Sequence, residues 1–271
     1  MDNLIEHLET RSIIRVGGED AEHFLENLVT CSVVDLDDGE AMLGALLTPQ
    51  GKILFEFYLI KMGDQFLLDV HSDSAETFQK RLMFYRLRAK VNIEADPAMQ
   101  VLCTAGNSPE GSIVTVADPR HPDLPKRCYG QFDTSNSSEF YDQKRISVGV
   151  PEGNSDFEYG DAYPHETLMD QFGGVDFKKG CYVGQEVVSR MQHRGTAKKR
   201  IIRVTGNVPL PENSSDILAD GKPAGTLGSV DGSLGLALLR LDRVSKADAV
   251  TIDGTVVTAE IQDWVNFSWP E

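Results

Sequence analysis

Apolar positions along this chain recur at two periods, and the switches between them predict its elements. Residues 12–16 alternate as a short strand and stop at Gly17-Gly18, after which Ala21, Phe24, Leu25 and Leu28 follow at helical spacing. Residues 41–70 predict a β-meander, with turns at Pro49-Gln50-Gly51 and Met62-Gly63-Asp64. A helix then runs to about Arg86, capped by Asp73 or Ser74, with Phe78, Leu82 and Tyr85 on its inner face. Asp73 and Glu76 have the spacing of a capping box, with Asp in the first place. Val91-Asn92-Ile93 and Val101-Leu102-Cys103 predict strands. Residues 133–160 are rich in Ser, Asn, Gly and acid, and predict a long surface loop around a strand at 146–150. Residues 164–172 and 184–191 predict short helices. Beyond Thr196 the apolar runs shorten, to 201–204, 224–228, 234–241, 249–252 and 256–261, separated by Gly, Pro and Asp. That spacing predicts a small antiparallel barrel or sandwich. The expected organisation is an α+β region over 1–196 and an all-β region over 197–271.

Composition narrows the class. The 271 residues are 41% hydrophobic, enough for about two domains with real cores. No apolar run approaches the ~18 residues that cross a bilayer. The opening Met1-Asp2-Asn3 and the residues after it carry no apolar signal, so no membrane and a cytoplasmic location are expected. Asn136-Ser137-Ser138 and Asn266-Phe267-Ser268 match glycosylation sequons, which carry no weight without a secretion signal. Cys31, Cys103, Cys128 and Cys181 form no Cys-x-x-Cys pair, so neither a permanent metal centre nor a disulfide framework is expected. The net charge of −16 argues against direct nucleic-acid binding. Two stretches invert that sign. Residues 178–203 hold eight Lys or Arg against Glu186, and residues 80–90 hold Lys80, Arg81, Arg86, Arg88 and Lys90 with no acid. Both are either anion-capturing islands or solvated faces.

The most specific chemistry lies at Lys179-Gly180-Cys181-Tyr182-Val183-Gly184-Gln185-Glu186. Two glycines flank a single thiol and let the backbone turn sharply or approach a ligand. Lys178 and Lys179 bring cations beside it, a setting that favours a reactive cysteine over an inert one.

Those eight residues resemble the signature of the folate-binding YgfZ proteins, relatives of the glycine-cleavage T-protein (aminomethyltransferase) and of a mitochondrial iron–sulfur assembly factor. The likeness continues through Val187-Val188-Ser189-Arg190 and Arg194-Gly195. Upstream, Tyr85-Arg86-Leu87-Arg88-Ala89-Lys90-Val91 resembles the family's arginine-rich segment, and Thr48-Pro49-Gln50-Gly51-Lys52 its early hairpin. The resemblance implies two intertwined N-terminal α+β subdomains and a C-terminal barrel around an opening that holds folate. It implies a reduced folate, such as tetrahydrofolate, as ligand. Glu166, in Pro164-His165-Glu166, falls where the T-protein carries its pterin-binding carboxylate. Tyr182 and Tyr85 are candidate stacking faces. Arg86, Arg88, Arg190 and Arg194 are candidates for the tail carboxylates, with Gln185 and Glu186 beside them and Lys179, Gly180 and Gly184 shaping the motif. Glu166 also suits a helix N-terminus, and Tyr85 also suits the core.

Cys181 is then the acting group: a nucleophile toward a one-carbon unit, a transient iron ligand, or a redox thiol. The family resemblance favours the second role, in assembly or repair of iron–sulfur proteins, including enzymes that modify tRNA. One thiolate cannot hold a cluster, so that role implies iron–sulfur client or assembly proteins as partners. In a eukaryote the location becomes the mitochondrial matrix. An aminomethyltransferase, or another one-carbon transferase, and a non-catalytic adaptor with a degenerate folate pocket remain the alternatives. The family more often has a small residue and then Asn where Thr167-Leu168 follow Glu166, which weighs against aminomethyl transfer.

Overall fold

The computed structural model describes residues 4–134, 137–195, 197–211 and 215–270. Met1-Asp2-Asn3, Asn136 of the first sequon and Thr196 at the expected boundary lie outside the described residues. The chain divides into two compact units, each discontinuous in sequence: Met1–Tyr141 with Phe172–Gln185, and Asp142–Gln171 with Glu186–Glu271.

The first unit contains β1 (Ile5–His7), β2 (Arg11–Gly17), α1 (Ala21–Glu26), β3 (Ala41–Leu47), β4 (Ile53–Met62), β5 (Gln65–His71), α2 (Ser72–Arg86), β6 (Asn92–Ala95), β7 (Gln100–Thr104), β8 (Ser112–Val116) and β9 (Lys126–Gly130). They form a five-stranded sheet, β3-β4-β5-β2-β6, and a four-stranded sheet, β1-β7-β9-β8. Side chains alternate across β4 and β5. Phe55, Phe57 and Leu59 join Phe66, Leu68 and Val70 in one core cluster with Phe78 and Leu82 of α2. Phe78 stacks on Phe55 and Phe57 with ring centres 4.8 and 5.2 Å away. The opposite face carries Tyr58 and Asp69, both buried. The α2 cap departs from expectation. His71 accepts the Asp73 N–H, because β5 runs into the helix with no polar loop residue between them.

The second unit holds most of α3 (Tyr141–Val148) and α4 (Gln185–Arg194), with β10 (Lys199–Gly206), β11 (Asp216–Ala219), β12 (Lys222–Asp231), β13 (Leu234–Arg240), α5 (Leu241–Val244), β14 (Val250–Ile252) and β15 (Thr255–Glu260). The strands close a barrel in the order β10-β13-β12-β11-β14-β15, antiparallel at every pairing. Its interior is filled by Ile202, Val204, Ile217, Leu227, Leu239 and Ile252.

Two expectations fail here. Residues 146–150 were expected as a strand, but α3 ends there. Its buried face includes Arg145, which pairs with Asp156 at 2.7 Å and donates to Ser229 Oγ at 2.6 Å. A buried arginine hides the helical period from any reading by hydropathy. Residues 164–172 form consecutive turns rather than a helix. Leu168 sits at φ 65°, a backbone that an α-helix of L-residues cannot include.

Candidate functional site

The Cys181 segment is fastened to the first unit at several points. Asp176 N–H donates to the Thr30 carbonyl at 2.9 Å, and Thr30 Oγ1 donates to the Gly174 carbonyl at 2.6 Å. Lys179 Nζ donates to the carbonyls of Val29 at 3.1 Å and Cys31 at 2.6 Å, and pairs with Glu26 at 3.2 Å. Its side chain is 2% exposed. Lys179 therefore holds the loop down, and its charge is answered by Glu26. Tyr182, expected as a stacking face, is buried, with Lys179 Nζ 5.8 Å from its ring centre. Burial, with Asp176 adding to it, pushes the Tyr182 hydroxyl up to about 12. Gln185 Nε2 donates back to the Gly180 carbonyl at 3.3 Å and closes the loop.

The two glycines do different work. Gly184 sits at φ +82°, and a Cβ there would lie 2.5 Å from the Thr48 carbonyl oxygen and 3.0 Å from Gly51 Cα. The hairpin turn and the cysteine loop thus meet backbone to backbone. A Cβ at Gly180 would meet nothing within 4 Å. Gly184→Ala should therefore destabilise by about 1–3 kcal/mol from backbone strain alone. Gly180→Ala should stay within about 0.5 kcal/mol. Equal melting temperatures for the two variants would contradict this division.

Between these anchors Cys181 is the exposed one of the four cysteines. Burial pushes the Cys31 and Cys103 thiols up to about 12, and raises Cys128 as well. Alkylation of the native protein followed by peptide mapping should label Cys181 first. Cys31, Cys103 and Cys128 should label only on unfolding. Preferential native labelling of any of those three would contradict the placement.

Glu166 belongs to the second unit. Its Oε2 accepts the Tyr163 N–H at 3.0 Å, and its carbonyl accepts the Ile201 N–H of β10 at 2.9 Å. Arg200 clips the same turns to β10 through the His165 carbonyl and Asp170, each at 2.6 Å. Glu166 lines a pocket of about 370 Å³ with Tyr163, Val187, Met191, Lys198, Lys199 and Arg240. Val187 and Met191 are one helical turn apart on α4, and Lys199 faces Arg240 across the β10–β13 ladder. Arg240 also pairs with Asp242 at 2.7 Å. A carboxylate, cations and an apolar wall in one pocket suit a ring with an N–H edge and an anionic substituent.

The other expected residues are spread out. Glu186, Arg190 and Arg194 are exposed on α4 and form no ion pair among the described residues. Tyr85 packs half-buried on the core of the first unit, and Arg86 donates to the Val91 carbonyl at 3.4 Å. Among the described residues, no hydrogen bond or ion pair joins Tyr85, Arg86 or Arg88 to the loop around Cys181. The sequence did not point to Lys199 and Arg240 as neighbours, because strand register is set by folding. Val187 and Met191 were open to discovery by their spacing.

The C-terminal part, residues 198–267, matches the model for the CAF17 C-terminal beta-barrel domain. A mitochondrial iron–sulfur cluster assembly factor IBA57 homolog of Neurospora crassa is 32% identical over 72% of this chain, which spans about half, 52%, of that relative. An IBA57 homolog of Pyricularia oryzae is 30% identical, covering 87% of this chain and 71% of its own length. Among solved structures, the glycine cleavage system aminomethyltransferase T of Bartonella henselae superposes with a TM-score of 0.77. That alignment covers 97% of this chain and 86% of the other at 13% identity, which shows a shared T-protein-like fold.

Proposed function

This chain belongs to the IBA57 family of iron–sulfur cluster assembly factors, and from that membership we propose a folate-binding accessory factor that acts through Cys181 on partner iron–sulfur proteins. The observation that carries the reading is the exposure of Cys181 on a loop whose neighbours are pinned. Thiolate is a soft donor suited to iron and to cluster sulfur. A single thiolate supplies one ligand, so the client or assembly protein supplies the rest. Clients include tRNA-modifying iron–sulfur enzymes, reached without direct RNA contact by this acidic chain. In a eukaryotic source the compartment is the mitochondrion, as the relatives' descriptions state for them. In a bacterial source it is the cytoplasm.

Reduced folate is the proposed ligand. The Glu166 pocket supports it by its donor set: a carboxylate for the pterin N–H edge, Lys198, Lys199 and Arg240 for anionic groups, and Val187 and Met191 as an apolar wall. When bound, a reduced folate supplies one-carbon chemistry. Titration with tetrahydrofolate in a calorimeter tests this. Binding should weaken with salt, since part of it is carboxylate capture. Glu166→Gln should cost about 1.5–3 kcal/mol, the worth of a charged hydrogen bond. Cys181→Ser should bind as the wild type does. Absence of binding at high protein concentration would remove folate from the account and leave the thiol role standing.

A further inference from the structure

The end of α2 carries an exposed surface that neither the Cys181 loop nor the Glu166 pocket uses. Met83, Phe84 and Leu87 are exposed there at 48%, 70% and 87%. Met83 and Phe84 sit on the last turn of α2, and Leu87 directly follows its last residue, Arg86. Phe78 and Leu82 supply the buried face of the same helix. Single exposed apolar residues are ordinary on a protein surface, whereas three within five positions at one helix end make a candidate contact site. Leu87 also follows the helix at φ 47° and ψ −105°, a backbone that leucine adopts at a cost. The fold holds this leucine outward at the expense of local strain.

Residues 80–90, the stretch that carries the group, hold five basic residues and no acid. Arg81, Arg86 and Arg88 are exposed. Lys80 and Lys90 are answered by Glu76 and Glu19, whereas Arg81 and Arg88 have no carboxylate partner among the described residues. Arg86, in the last turn, is favoured by the helix dipole, a reason that does not extend to Arg81 or to Arg88 beyond the helix. On a chain of net charge −16 this is a local inversion, in which Arg81 and Arg88 lack a counter-charge among the described residues.

We infer that the end of α2 docks a protein partner presenting carboxylates beside an apolar ridge. Phe, Met and Arg are the side chains enriched at the centres of protein interfaces. The missing counter-charge fixes the partner's chemistry, because carboxylates from outside complete Arg81 and Arg88. An anionic bilayer or a nucleic acid also offers negative charge, but over a wide field that repels a body of net charge −16. A protein delivers its carboxylates at one place. This surface deepens the partner-dependent reading of Cys181, yet rests on α2 alone.

The test places the photo-crosslinking residue p-benzoylphenylalanine at Phe84 of the full chain in its native cells. The same residue at Val256, exposed on β15, serves as control. The expected result is one protein adduct above the control, mapped to a segment with Asp or Glu beside apolar residues. Adding Arg81→Glu and Arg88→Glu should reduce it about tenfold, since like charges would then face each other. The melting curve should stay unchanged; if it falls, Arg81→Gln and Arg88→Gln replace the pair. Cys181→Ser should leave the adduct intact, which separates this surface from the thiol reading. Adducts to lipid, to nucleic acid or to a second copy of the chain would overturn the inference. So would a yield no higher than at Val256, or one indifferent to the charge reversal.

Discussion

Arg127→Met should lower the stability of the first unit by about 3–5 kcal/mol, the cost of breaking buried ion pairs by removing one partner. Arg127 is fully buried on β9. Its guanidinium pairs with Asp69 at 3.1 Å and Asp118 at 3.2 Å, and donates to the hydroxyls of Tyr58 at 2.9 Å and Tyr141 at 2.6 Å. It also lies 3.8 Å from the centre of the Tyr58 ring. Methionine fills much of the volume but answers neither carboxylate. Asp69 keeps Arg11 at 2.5 Å and the Tyr129 hydroxyl at 3.0 Å, and Asp118 keeps Arg120 at 2.8 Å, so the network is weakened rather than erased. Burial alone would raise the Asp118 carboxyl, yet Arg120 and Arg127 hold it below the ordinary carboxylate range. Its contribution is therefore present at neutral pH and fades only as acid brings the pH down through that depressed value. Urea denaturation of the wild type and of Arg127→Met measures the loss. A change within about 0.5 kcal/mol, the range of an ordinary surface substitution, would show that the network adds no net stability.

That network also marks where the sequence stops being informative. Asp69 lies in Phe66-Leu67-Leu68-Asp69-Val70, and Arg127 in Lys126-Arg127-Cys128-Tyr129. Asp69 leaves β5 legible within the meander, but nothing local names its partner. β8, which carries no charge, was not anticipated, and neither was β9, which Lys126 and Arg127 obscure. The same cause turned the end of α3 into an expected strand, because Arg145 occupies its buried face. Where apolar periodicity was clean, the chain was legible: the β3–β5 meander, the body of α2 and five of the six barrel strands stand where their patterns lie, whereas β11 was not anticipated. Of the site, the accessible thiol expected at Cys181 is exposed. At Gly184 the close approach is to the backbone of Thr48 and Gly51, which the motif did not name. The roles of the flanking groups did not. Lys179 reads as a cation beside a thiol, but folding sends it inward to Glu26 and two carbonyls. The partners of Glu166 come from β10 and β13, a pairing that no local spacing encodes.

Cys181→Ser should abolish support of iron–sulfur enzymes while leaving fold and ligand binding intact. Cys181 is exposed, so exchanging sulfur for oxygen leaves no cavity and strands no buried group. The loop keeps its anchors at Thr30, Lys179 and Gly184, none of which uses the thiol. A serine hydroxyl stays protonated at neutral pH and is a poor ligand for iron, so the soft donor alone is removed. Cys31, Cys103 and Cys128 cannot substitute, being buried and, at Cys31 and Cys103, held protonated up to about 12. The most direct measurement is the activity of iron–sulfur enzymes in cells that lack the native gene and carry either the wild type or Cys181→Ser, with melting curves of both proteins. Loss of rescue at an unchanged melting temperature is the predicted result; full rescue by the serine variant, or lost rescue with a collapsed melting temperature, would contradict a chemical role for Cys181.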